Sequence, residues 1–103
     1  MITMHPGEYL EEAYLEPLQM SQTDLAKHLH VSKSAVSRLI AGEADLSALM
    51  AVRLSKVFGL SAEAWMAMQT QHSLRLARKE LTNTEFKQVA FEPDQALADT
   101  QGA

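Results

Sequence analysis

The sequence predicts an all-α fold of five short helices followed by a tail, and two observations carry that prediction. Ala (15) and Leu (14) supply 29 of the 103 residues, whereas Val, Ile and Thr together supply 13. The first pair are strong helix formers and β-branched residues are not. The second observation is punctuation. Pro6-Gly7, Ser21, Ser32, Gly42, Ser47, Gly59 and Ser61 recur at intervals of about one short helix, and these residue types start and stop helices.

The elements follow in order. Pro6 opens the first helix, since a first-turn proline lacks only an N–H that would have no partner. Leu10, Ala13 and Tyr14 follow at helical spacing, and Pro17 is expected to end it. Ser21 caps a second helix from about 22 to 29, with Leu25, Ala26 and Leu29 on one face. Ser32 caps a third, whose apolar stripe is Ala35, Val36, Leu39 and Ile40, and Gly42 stands at its C-terminal stop. Ser47 caps a fourth, carrying Met50, Ala51, Leu54, Val57 and Phe58 up to Gly59. Ser61 caps a fifth that passes Trp65 and Met68 and reaches toward Leu76 or Leu81. Residues 1–81 are therefore expected to form one domain. Residues 82–103 form a tail with a short alternating stretch, Phe86–Phe91, before Pro93.

Composition excludes several classes of function. Without cysteine there is no disulfide framework, Cys-ligated zinc or thiol catalysis. The longest apolar runs, Ala48–Val52 and Ala64–Met68, are five residues each, far short of the ~20 of a membrane helix. The first seventeen residues hold Glu8, Glu11, Glu12 and Glu16 and no Lys or Arg, unlike a signal peptide. A soluble cytoplasmic protein is expected. The net charge of −4 is uneven: −4 over residues 1–18, 0 over 19–46, +3 over 47–81 and −3 over 82–103. Acidity at the two ends does not argue against nucleic acid, because binding depends on where charge sits.

The informative segment is residues 22–41, two short helices joined by about three residues in a helix-turn-helix layout. Leu25 and Leu29 bury the first helix, Ala26 is small where the second must cross, and Val31 plugs the turn. Val36, Leu39 and Ile40 then hold the second helix to the core. Lys33, Ser34, Ser37 and Arg38 are left facing outward. Arg can grip guanine O6 and N7 together, and Ser can bond several base edges. Amide groups at the helix start near Ser32, with Gln22 at the start of the preceding helix, can hold phosphates. Thr23 and Lys27 join them as candidate backbone contacts.

These stretches resemble the HigA-type antitoxins, a branch of the lambda-repressor-like (XRE) helix-turn-helix family. The likeness runs through His5-Pro-Gly-Glu-Tyr-Leu10, Leu15-Glu-Pro-Leu18, Leu25-Ala26 through Ile40-Ala-Gly42, Ala51–Gly59 and Ser61–Gln69. The Pro-Gly-Glu opening and the Trp65-x-x-x-Gln69 spacing distinguish this branch. The resemblance implies a five-helix lambda-repressor-like DNA-binding domain with a short C-terminal tail. It also implies a homodimer that binds an operator in its own promoter and neutralises a HigB toxin, a small RelE-like ribonuclease. The family's base-facing positions fall on Lys33, Ser34 and Arg38, with Ser37 beside them, and its phosphate-facing position on Gln22. One position departs from the pattern: the turn residue usually occupied by Gly is His30, which tolerates a left-handed backbone better than a β-branched residue does.

The remaining features have plainer readings. His5, His28, His30 and His72 lack the spacing of metal ligands and are expected to face solvent. No serine sits in a nucleophile elbow, so no enzyme, metal, cofactor or small-molecule substrate is expected. Leu74 and Leu76 are candidates for a dimer interface as much as for core, Trp65 belongs to the core, and Met66 is expected to be exposed and interfacial. The acidic ends suit a basic ribonuclease partner, and Phe86–Phe91 could add a strand to such a partner's sheet. Two rivals stay open: a stand-alone XRE regulator without a toxin, and a protein-interaction module that no longer binds DNA.

Overall fold

A computed structural model describes residues 4–90. Three contiguous segments, α1 (Pro6–Leu10), a π-helical turn (Glu11–Leu15) and α2 (Glu16–Leu18), form one helical rod. They are followed by α3 (Gln22–Leu29), α4 (Lys33–Ile40), α5 (Ala48–Phe58) and α6 (Ala62–Glu80). Described in this way the residues form five rods and no strand, an all-α fold.

Serine caps set four of the five starts. Ser21, Ser32, Ser47 and Ser61 each accept, through Oγ, the amide N–H three residues on, at 3.0–3.1 Å. That local bond satisfies a donor the helix cannot satisfy itself, and replacing such a cap with Ala costs about 1 kcal/mol. His5 caps the first rod differently. Its Nδ1 accepts the Gly7 N–H at 2.9 Å, while Nε2 donates to the Ala44 carbonyl at 3.0 Å. The expectation of a solvent-facing His5 is therefore wrong: the imidazole is buried, and the His72 ring meets it edge-on at 5.1 Å. Both ring nitrogens are needed to join the N-terminus to the loop after α4.

Pro17 does not end the first helix, which continues through it to Leu18. The turn before it has opened: the Glu16 N–H bonds the Glu11 carbonyl, five residues back. Widening of this kind relaxes the ladder where Pro17 can neither donate to an i−4 carbonyl nor let its ring approach one closely. Gln19 stops the helix in a left-handed conformation (φ 52°), with the Met20 N–H returning to the Leu15 carbonyl.

Leu10, Leu25, Leu29, Val36, Leu54 and Trp65 are buried at the centre of the core. Aromatic rings seal one side: Tyr14 stacks on Phe58 at 4.3 Å, and Tyr9 and Tyr14 both meet Trp65 within 6 Å. Burial, and then the neighbouring Tyr9 hydroxyl, push the Tyr14 phenol above its ordinary value of 10.0. The Trp65 indole N–H is buried without a hydrogen-bond partner among the described residues. α1 crosses the end of α4 so closely that Gly7 is required. A Cβ there would fall on the Leu39 carbonyl oxygen and lie 2.9 Å from the Ile40 Cα.

α6 packs on α5 through Trp65 and Met68 but runs on past the core, and every residue from Ser73 to Glu80 is exposed. Met66 is not exposed as expected; it is half-buried against the core, about 100° round the helix from Trp65 and so at the edge of the buried side of α6. After a turn at 81–83 the chain is exposed through residue 90 and forms no strand there, with Phe86 and Val89 open to solvent. The rest of the expected tail, including Phe91, Pro93 and the acids Glu92, Asp94 and Asp99, lies outside the described residues. No described helix is long and apolar enough to cross a membrane.

Candidate nucleic-acid interface

The site is built from α3, the turn and α4. His30 ends α3 in the left-handed region (φ 57°), its N–H bonding back to α3, and the Val31 N–H bonds the Ala26 carbonyl at 3.0 Å. A non-glycine residue thus supplies the turn geometry. Beyond it the buried Val36 and Leu39 fix the rotation of α4 about its axis. That rotation turns Lys33, Ser34 and Arg38 outward, all three exposed, while Ser37 is half-buried. Ser34 and Arg38, four residues apart, share one side of α4, and Lys33 stands beside Ser34 in its first turn, so two cations and a hydroxyl form one exposed polar surface.

The N-terminus of α3, packed against α4 through the core, is tied to this face by a side-chain hydrogen bond. The Ser37 hydroxyl donates to Gln22 Oε1 at 2.6 Å. Thr23 and Lys27, one helical turn apart, are exposed along α3. Ser32 is exposed at the start of α4, its oxygen already accepting the Ala35 N–H. Gln22, Thr23, Ser32 and the α4 face therefore gather around two helix starts. Lys27 lies further along α3, toward its other end.

Sequence reasoning assigned no role to two residues that hold this unit in place, although one of them, Gln69, belongs to the Trp65-x-x-x-Gln69 spacing. Arg53 on α5 donates through Nη1 to the Leu29 carbonyl at 2.8 Å, satisfying an acceptor at the end of α3 and countering the negative pole there. Around it His28, His30, Lys56 and Val57 line a small pocket of about 110 Å³. Gln69 on α6 is buried and fully used. Its Oε1 accepts the Leu46 N–H at 2.7 Å, and its Nε2 donates to Asp45 at 3.2 Å and Ser73 at 2.9 Å. It fastens the loop that follows α4. A polar residue four positions after Trp65, in the middle of an apolar face, was the available signal.

Leu74 and Leu76 are exposed. Two residues apart on a helix of ~100° per residue, they point to nearly opposite sides, so one flat partner cannot cover both. Leu74 instead lines up with Ala77 and Leu81.

A compact helical domain presenting a polar, cation-bearing second helix from a helix-turn-helix defines a DNA-binding class of protein. A helix-turn-helix family profile matches residues 12–65, and the chain belongs to that family, in its XRE branch. It is 40% identical over 80 residues to virulence-associated protein I of Dichelobacter nodosus, covering 78% of this chain and 74% of that protein. It is 38% identical over 77 residues to an HTH-type transcriptional regulator of Haemophilus influenzae, covering 72% of each. The solved structure of the Pseudomonas aeruginosa antitoxin HigA with the higBA promoter superposes with a TM-score of 0.79. It is 32% identical to this chain, and the match covers 85% of this chain and 99% of that one. The fold is thus that of the HigA antitoxins, in a family of DNA-binding regulators and not an enzyme class.

Proposed function

We propose that this protein is the DNA-binding antitoxin of a toxin–antitoxin pair, repressing its own operon and neutralising a HigB-like ribonuclease. The observation that carries the reading is the exposed face of α4, in a fold that superposes on that of an antitoxin solved with promoter DNA. Lys33, Ser34 and Arg38 reach base edges in the major groove, and Gln22, Thr23, Lys27 and Ser32 hold phosphates on either side. A homodimer places two copies of α4 about one helical turn of DNA apart, roughly 34 Å, or a multiple of it. The Leu74, Ala77 and Leu81 stripe of α6 is the surface such a dimer would bury. The acidic α1–α2 rod, with exposed Glu8, Glu12 and Glu16, complements a cationic ribonuclease surface.

The test is fluorescence anisotropy on the gene's own upstream region at several salt concentrations. Specific binding that weakens as salt rises is expected. Arg38→Ala should weaken it by about 1–3 kcal/mol and relax base choice at one position; unchanged affinity and selectivity would remove Arg38 from the reading. Sedimentation at micromolar protein checks the dimer. Co-expression with the adjacent open reading frame, followed by co-purification, checks the toxin. The relative named as a transcriptional regulator favours a second reading, a stand-alone repressor, and a neighbouring frame that encodes no small basic protein would select it. If the upstream region gives no specific complex, a protein-interaction module without DNA binding is what remains.

A further inference from the structure

We infer that Ser37 is a positioning residue: it holds the Gln22 side-chain amide with its donor nitrogen turned outward to a DNA phosphate, and it does not itself read bases. The inference rests on the DNA-binding reading above. A serine hydroxyl carries one proton, and in this structure that proton is given to Gln22 Oε1 at 2.6 Å. What Ser37 keeps is acceptor capacity only, on a half-buried oxygen lodged between α3 and α4. Lys33, Ser34 and Arg38 are exposed on the same helix and suffer neither restriction.

The consequence falls on Gln22. A glutamine amide ends in one acceptor and one NH₂ bearing two donors. With Oε1 committed to Ser37, Nε2 is the end of the amide left for another partner. Among the described residues Nε2 has no hydrogen-bond partner. Phosphate oxygens accept and never donate, so the end left open is the one that a DNA backbone can use. An untethered glutamine would present either end and would have to freeze its rotamers on binding; here that ordering is complete beforehand. The bond also spans fifteen positions in sequence, linking the start of α3 to the middle of α4. Phosphate contact and base reading are thereby set in one register.

The experiment uses the full chain and operator duplexes in which each base pair is varied in turn. Ser37→Ala should weaken binding about three- to tenfold, the scale of one neutral hydrogen bond, by the same factor on every duplex. Gln22→Ala should do likewise, and the double variant should lose no more than the worse single one, because both remove a single contact. A second series replaces individual phosphates with methylphosphonates. One such replacement should weaken the wild-type protein and add nothing to the loss in either variant, a coupling that a merely structural serine would not produce. Thermal unfolding of each variant confirms that it is folded. A changed base preference in Ser37→Ala, or additive losses in the double variant, overturns the inference and restores Ser37 as a base reader. Wild-type protein that binds every duplex alike overturns the DNA-reading assignment itself, a separate and recognisable failure.

Discussion

Replacing Gly7 with Ala is expected to be among the most damaging single-methyl additions in the molecule. A Cβ at position 7 would fall on the Leu39 carbonyl oxygen and lie 2.6 Å from its carbon, with the Ile40 Cα at 2.9 Å. The gap to ordinary contact is therefore about 1 Å, and every clashing atom is backbone in the last turn of α4, unable to swing aside. Overpacking of this kind typically costs about 1–3 kcal/mol, and backbone clash belongs at the top of that range. Ala returns up to about 1 kcal/mol of helix propensity, which leaves a net loss of about 2 kcal/mol. For a domain this size that corresponds to roughly 10 °C in Tm. Thermal and urea unfolding can be followed through Trp65, the single tryptophan. Gly59→Ala is the control: Gly59 has positive φ (83°) but open space around its missing Cβ, so it suffers backbone strain alone, about 1 kcal/mol. A Gly7→Ala protein within about 2 °C of wild type, or no worse than Gly59→Ala, would refute the close-approach account.

Three further outcomes are expected. Gln69→Leu leaves the buried Leu46 N–H without an acceptor and should cost about 1–3 kcal/mol, read by urea denaturation; wild-type stability would mean that water replaces the amide. His30→Gly relieves the left-handed conformation at φ 57° but frees the unfolded chain, so a change between neutral and about 1 kcal/mol of stabilisation should appear in Tm. A clear loss would show that the imidazole contributes more than turn geometry. The raised Tyr14 phenol predicts an alkaline effect: the fold favours the protonated form, so that stabilisation is whole below pH 10 and is lost as pH rises through the higher folded value. Urea midpoints should fall more steeply with rising alkaline pH in wild type than in Tyr14→Phe, and parallel profiles would rule the effect out.

What could be read from the sequence was whatever is local. Ser21, Ser32, Ser47 and Ser61 were identifiable as caps because each bonds an amide three residues on. The apolar period of α4 put Lys33, Ser34, Ser37 and Arg38 outward, since burying Val36 and Leu39 fixes where the rest must point; three of the four are exposed, and Ser37 is half-buried instead because its hydroxyl reaches Gln22 on α3. His30 could be placed in a left-handed turn only through the family resemblance, whose pattern has Gly at that position, and its φ of 57° agrees. The contacts that lock the unit were illegible for the opposite reason. His5 to Ala44, Gln22 to Ser37, Leu29 to Arg53 and Leu46 to Gln69 join residues 15 to 39 positions apart, and no periodicity encodes which distant carbonyl a polar side chain will find. Pro17 misled because the rule that proline stops a helix assumes a regular turn before it.

That widened turn has an evolutionary consequence. A π-helical turn is what remains when a helix has accepted one extra residue without rotating the faces on either side. Deleting a single residue within Glu11–Tyr14 would return the rod to regular winding and keep Leu10 and Leu15 on the core. The same deletion would press the Pro17 ring against a restored i−4 carbonyl. The insertion and the proline thus form a matched pair. Relatives one residue shorter in this rod should carry something other than proline at the position of Pro17, and a shortened variant of this chain should fold well only if Pro17 is replaced as well.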